Sequence, residues 1–134
     1  MNTQQPTWRD SLPKWVPLVQ GIFYIFFGLW SVVSITSFQA LTGPKTDLWL
    51  VKTVGLLLVV SGMVLLAARL RRRIPLEIAI LGAGQALVLG VVDVVYVATC
   101  TISWIYLLDA LAEGIILAGW AVSLSRFRSA FEYG

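Results

Sequence analysis

The sequence contains no histidine and a single cysteine, Cys100. A chain without histidine lacks the commonest metal ligand and the side chain that most often serves as a general base near neutral pH. One cysteine cannot form a disulfide within the chain, and it leaves the redox compartment undetermined. We therefore expect no metal site and no cofactor, and the composition argues against metal catalysis.

Charge is also scarce, because only 13% of the 134 residues are charged whereas 58% are hydrophobic. A soluble domain of this length needs more polar surface than that to remain in water. The composition therefore predicts an integral membrane protein, with the lipid bilayer as its first partner. The net charge of +3 does not indicate nucleic acid, because the basic residues flank apolar runs, as topology signals and contacts to anionic lipid do.

Four apolar runs are each long enough to cross a bilayer as a helix. Each has about 22 to 24 residues, which at ~1.5 Å per residue covers the ~30 Å of a hydrocarbon core. The runs do not alternate polar and apolar residues as the strands of a membrane barrel do, so we expect helices. The predicted spans cover residues 15–37, 48–70, 76–99 and 103–125.

Short connections join the four runs, at residues 41–47, at residues 71–75 and around Cys100. Loops this short make sequential helices run in opposite directions. The expected fold is all-α, a polytopic membrane protein whose residues 1–134 form a single domain, an antiparallel four-helix transmembrane bundle.

Basic residues are divided unequally between the two ends of this bundle. The end with both termini and the second connection carries most of them: Arg9, Lys14, Arg69, Arg71, Arg72, Arg73, Arg126 and Arg128. The other end has only Lys45 and Lys52. The positive-inside rule then predicts that both termini are cytoplasmic (N-in, C-in). The compact loops favour a bacterial inner (plasma) membrane.

Three carboxylates interrupt the last two runs with no basic residue between them. The stretch VVDVVYVATCTISWIYLLDALAEG, residues 91–114, holds Asp93, Asp109 and Glu113. By helical rise, Asp93 and Asp109 lie ~9 Å below the outer ends of their spans and Glu113 lies ~6 Å deeper. A charge at such depth costs at least ~2.5 kcal/mol, so we expect these side chains to face protein and not lipid.

Helical periodicity brings further side chains to the same level. Tyr106, Asp109, Glu113 and Trp120 share one face of the last span, and Asp109 and Glu113 are direct neighbours at i, i+4. Like charges this close rarely stay ionised together, so we expect the pair to hold a proton, with Glu113 as its protonated member. Lys52 lies at a similar depth, although it could equally extend to the headgroups. The predicted ligand-binding residues are Asp93, Tyr96, Tyr106, Asp109, Glu113 and Lys52.

Several functions are compatible with such a cluster, and we favour an outward-facing pocket that binds a small lipophilic or cationic ligand. A protonated and an ionised carboxylate could instead act as acid and base on a lipid-like substrate, so enzymatic activity stays open. Intramembrane carboxylates also mark proton or cation transporters. The plainest alternative is hydrogen bonding between helices, with Tyr24, Gln20 or Gln85 as partners, in an accessory subunit that forms a homo-oligomer or joins another membrane protein.

Overall fold

The structure is a computed structural model that describes residues 15–71 and 74–132, with side chains described as far as residue 125. Every regular element in these ranges is a helix. The helices are α1 (Trp15–Val33), α2 (Ile35–Thr42), α3 (Leu48–Arg69), α4 (Leu76–Ala98) and α5 (Tyr106–Glu132). Several basic residues used to predict the orientation lie outside the described backbone or side chains: Arg9, Lys14, Arg72, Arg73, Arg126 and Arg128.

Four of the helices are long and apolar enough to cross a membrane. They are α1, α3, α4 and the Tyr106–Ser125 part of α5. The all-helical class and the presence of four helices with spanning length are thus confirmed. They indicate a multi-pass membrane protein.

The first helix ends at Val33, earlier than the predicted residue 37, and the short helix α2 follows it. Ser34 leaves the helical conformation, with φ −133° and ψ 69°. The Ser34 and Ser37 hydroxyls lie 2.7 Å apart, and the Trp30 indole N–H donates to Ser37 Oγ at 2.8 Å. Serine side chains that bond locally offer the chain an alternative to the continuous helix. This cluster accounts for the separate α2.

Helix α2 ends at Thr42 and is capped by Gly43, whose φ of 94° lies in the left-handed region that favours glycine. The Gly43 N–H closes the last turn by donating to the Gln39 carbonyl at 2.8 Å. Lys45 follows in the same connection and donates to the Thr42 carbonyl at 3.2 Å. The connection between α2 and α3 is therefore tied to the end of α2.

Glycines let α1 and α3 approach closely along their length. A Cβ on Gly62 would lie 2.7 Å from the Gly21 carbonyl oxygen, and a Cβ on Gly55 would lie 2.8 Å from the Gly28 carbonyl oxygen. Side chains at these positions would clash with backbone, so small residues permit the contact. Gly21 of α1 meets Gly62 of α3, and Gly28 meets Gly55. The order of contacts is therefore reversed along the two helices.

The helices associate mainly as two pairs, α1 with α3 and α4 with α5. The second pair also has reversed order, because Gly82 lies beside Trp120 whereas Gly90 lies beside Glu113. The two pairs share one apolar core, which includes Val16, Leu65 and Ile116, and they are also joined by polar contacts. One such contact is the Gln85 amide of α4, which donates to Ser61 Oγ of α3 at 2.8 Å. The others converge on Gln20 of α1.

Candidate functional site

Gln20 is the centre of a buried hydrogen-bond network that joins α1, α4 and α5. Its side chain is fully buried. Its amide nitrogen donates to the Gly82 carbonyl at 2.8 Å and to the Tyr24 hydroxyl at 3.0 Å. Its amide oxygen accepts the Trp120 indole N–H at 2.7 Å. One side chain thus connects three helices.

Chemistry fixes the direction of this network. An indole N–H can only donate and a backbone carbonyl can only accept. The Gln20 atom that contacts Trp120 must therefore be the amide oxygen, and the atom that contacts Gly82 must be the amide nitrogen. Tyr24 Oη then receives a donor from Gln20. The hydroxyl proton of Tyr24 is directed to Glu113 Oε2, which lies 3.1 Å away. The three successive hydrogen bonds from Trp120 to Gln20, from Gln20 to Tyr24 and from Tyr24 to Glu113 therefore all run toward Glu113. In such an arrangement each bond strengthens the next.

The three carboxylates of α4 and α5 lie at or near the Glu113 end of this hydrogen-bond network. Glu113 is 1% exposed and Asp93 is 6% exposed, whereas Asp109 is half-buried. The Asp93 carboxyl of α4 and the Asp109 carboxyl of α5 are close neighbours. Protonation of Glu113 stays a prediction, because the Tyr24 bond identifies only Oε2 as an acceptor. We refer to Asp93, Asp109 and Glu113 as the acid cluster.

Two carboxylate oxygens of the acid cluster are buried without a hydrogen-bond partner among the described residues, Asp93 Oδ2 and Glu113 Oε1. Asp93 belongs to α4 and Glu113 to α5. A Cβ on Gly90 would lie 3.6 Å from the Glu113 Cβ, so Glu113 crosses α4 one helical turn from Asp93. A buried acceptor without a donor costs about 1–3 kcal/mol. These two oxygens are the positions where a donor from outside the chain would gain most.

The remaining predicted site residues lie further out. The Tyr106 ring is half-buried, and Lys45 Nζ lies 4.8 Å from its centroid. Tyr96 is 47% exposed. Lys52 is exposed on the surface of α3. The structure therefore brings together Asp93, Asp109 and Glu113 but leaves Lys52 and Tyr96 at the surface.

Two residues are more central than the sequence indicated. Gln20 was expected only as one of several hydrogen-bond partners, and Trp120 only as a residue on the face of Asp109 and Glu113. The signal for Gln20 is its i, i+4 spacing from Tyr24 within an otherwise apolar run. No local sequence pattern connects Gln20 or Tyr24 to Trp120.

The acid cluster is not arranged as a metal site. The described residues contain no group of three or more histidine, cysteine, aspartate or glutamate side chains placed to hold a metal ion.

Comparisons of this chain with known protein families, with curated proteins and with solved structures find no match.

Proposed function

We propose that this chain is a membrane protein whose acid cluster binds a small, lipophilic, cationic ligand. The observation that carries the proposal is the pair of buried carboxylate oxygens, Asp93 Oδ2 and Glu113 Oε1, that find no donor among the described residues. An unpaired acceptor in a poor dielectric is costly. Gln85 Oε1 is also buried without a partner among the described residues, but it is a neutral amide oxygen, whereas Asp93 and Glu113 bring two carboxylates to neighbouring helices. A ligand that supplies donors and positive charge would remove that cost.

The proposed architecture is an antiparallel four-helix bundle in a bacterial plasma membrane, with both termini in the cytoplasm. The reversed order of contacts within both helix pairs supports the antiparallel arrangement. The concentration of arginines at one end of the bundle supports the orientation. The acid cluster then lies in the outer half of the membrane, below the connections that contain Lys45 and Cys100.

The acid cluster favours positive charge because its neighbours donate hydrogen bonds to it but carry no charge of their own. Tyr24 donates to Glu113 through a neutral hydroxyl. Lys52 is exposed, so its ammonium does not fill the role of a buried counterion. In a poor dielectric a cation brought to this cluster gains strongly from the remaining negative charge. A ligand with both charge and an apolar body suits such a site.

The surroundings suit the apolar part of such a ligand. Asp109 is the half-buried member of the acid cluster, so it connects the buried oxygens with the surface of α5. Its neighbours on the same face of α5, Tyr106 and Ala112, are also half-buried. An alkyl chain lying on this surface stays in contact with lipid while its charged end reaches the carboxylates.

Equilibrium binding of radiolabelled dodecylammonium to the full chain in phosphatidylcholine nanodiscs tests the proposal. Empty nanodiscs measure partitioning into lipid. We expect saturable binding by the wild type and at least a tenfold loss, ~1.4 kcal/mol, in the double variant Asp93→Asn, Glu113→Gln. The matched control is Glu77→Gln, because Glu77 is an exposed carboxylate in the first turn of the same helix α4. Equal binding by all three proteins would refute the proposal.

A further inference from the structure

We infer that the ligand of the acid cluster is a primary or secondary ammonium, that is, a lipophilic amine that still carries N–H donors. The inference rests on the proposed function and narrows it to one chemical class. It is carried by one side chain on α4 and one on α5, each more than nine-tenths buried and each with a buried carboxylate oxygen that has no hydrogen-bond partner among the described residues. These oxygens are Asp93 Oδ2 and Glu113 Oε1.

The two open oxygens require donors and not merely positive charge. We take Asp93 and Glu113 as ionised when the ligand is bound, and in that state neither carboxylate can donate a hydrogen bond to the other. An ammonium with two or three N–H groups can donate to both and bridge α4 to α5. Charge-assisted bonds of this kind are about twice as strong as neutral ones.

A quaternary ammonium does not fit this arrangement. It has no N–H group, and proteins recognise it through the faces of aromatic rings. Here Tyr24 meets Glu113 through its hydroxyl, which donates at 3.1 Å, so its polar end and not its ring face is turned to the carboxylate. Trp120 uses its N–H on Gln20. A trimethylated nitrogen would therefore keep both open oxygens without donors.

A guanidinium or a metal ion fits less well than an ammonium. The planar fork of a guanidinium pairs best with both oxygens of one carboxylate. Each of Asp93 and Glu113 has one buried oxygen without a partner among the described residues, and Glu113 Oε2 already accepts from Tyr24. The described acids also do not form a metal-ligand group. A compact, rotatable ammonium can reach two oxygens that belong to different helices.

The test compares two ligands with the same alkyl chain, dodecylammonium and dodecyltrimethylammonium, on the wild-type protein. Both are measured by equilibrium binding in phosphatidylcholine nanodiscs, with partitioning into empty nanodiscs subtracted. We expect dodecylammonium to bind at least about tenfold more tightly, because the trimethyl compound forfeits the charge-assisted hydrogen bonds. N-methyldodecylammonium, which retains two N–H donors, should bind like the primary amine.

The outcomes separate the inference from the proposed function. Saturable binding of both compounds with equal affinity, or tighter binding of the trimethyl compound, would overturn the inference and leave cation binding intact. No saturable binding of any of the three compounds would count against the proposed function itself. A preference that persists in the Asp93→Asn, Glu113→Gln variant would also overturn the inference, because the discrimination would then arise elsewhere. Circular dichroism and thermal unfolding of that variant check that it folds.

Discussion

Trp120 donates its indole N–H to the side-chain oxygen of Gln20 across 2.7 Å, although 100 residues separate the two in the chain. The bond fixes the orientation of the Gln20 amide, which in turn directs the Tyr24 hydroxyl proton to Glu113. A contact between α1 and α5 is therefore linked, through Gln20 and Tyr24, to Glu113. The stability of the bundle and the geometry of the acid cluster depend on the same bond.

Replacing Gln20 with leucine should destabilise the protein by about 2–4 kcal/mol, because a buried amide that makes three hydrogen bonds is lost and the Trp120 N–H remains without an acceptor. The loss can be measured by unfolding in sodium dodecyl sulfate followed by circular dichroism. The same experiment on Trp120→Phe removes the donor and leaves the amide oxygen unpaired.

A double-mutant cycle isolates the bond between the two residues. If Trp120 and Gln20 are coupled as the structure shows, the double variant Gln20→Leu, Trp120→Phe loses less stability than the two single losses added together. Strict additivity would mean that the bond contributes nothing measurable.

Gly82 and Gly84, two residues apart on α4, should respond oppositely to alanine. A Cβ on Gly82 would lie 2.7 Å from Trp120 Nε1 and 2.8 Å from Gln20 Oε1, whereas a Cβ on Gly84 meets nothing within 4 Å. We expect Gly82→Ala to cost about 1–3 kcal/mol by overpacking. Gly84→Ala should be neutral or stabilising by up to ~1 kcal/mol, because alanine favours the helix.

The same unfolding assay measures both alanine variants, and each serves as the control for the other. Similar losses at the two positions would indicate a general sensitivity of α4 and not a specific contact at Gly82.

The sequence predicted the helices well where hydropathy alone determines them. Runs of more than about 18 apolar residues have few alternatives to a spanning helix, so α3 and α4 begin at Leu48 and Leu76 as expected. The break at Ser34 was not predicted. It depends on bonds among Trp30, Ser34 and Ser37, and a hydropathy window does not register such side-chain contacts.

The site was harder to predict than the helices, because it depends on how separate helices are rotated against one another. Neighbours on one helix follow from its period, so the proximity of Asp109 and Glu113 could be derived from the sequence. Depth alone placed Lys52 beside them, yet its side chain lies on the exposed side of α3. The role of Gln20 requires α1 to meet α4 and α5, and no local pattern encodes that meeting.

Cys100 provides a direct test of the proposed orientation. It is exposed, and it lies in the connection between α4 and α5 that the proposal places outside the cell. A membrane-impermeant maleimide added to intact cells should label it. In a Cys100→Gly background, an Arg71→Cys variant should be labelled only after the membrane is opened.

Glycine is the suitable replacement at position 100, because the cysteine there has a φ of 57° and glycine adopts that conformation without strain. Labelling of position 71 but not of Cys100 in intact cells would reverse the proposed topology and place the acid cluster in the inner half of the membrane.

Lys45 should weaken the binding of a cationic ligand to the acid cluster. Its ammonium lies 4.8 Å from the centre of the Tyr106 ring, and Tyr106 precedes Asp109 by three residues, about one turn of α5. Replacing Lys45 with methionine keeps an apolar stem and removes the positive charge. We expect dodecylammonium to bind about two- to threefold more tightly, the change expected from removing like-charge repulsion at ~8 Å in a largely aqueous setting.

Lys52→Met is the matched control for that experiment, because it removes the same charge from an exposed position on α3. If Lys45 acts locally, Lys52→Met leaves the affinity nearly unchanged, and the gain from Lys45→Met shrinks as added salt screens the repulsion. Equal gains from both variants would instead point to the overall charge of the outer surface. A loss of affinity in Lys45→Met would show that the Lys45 contact holds the Tyr106 ring in a position that the ligand needs.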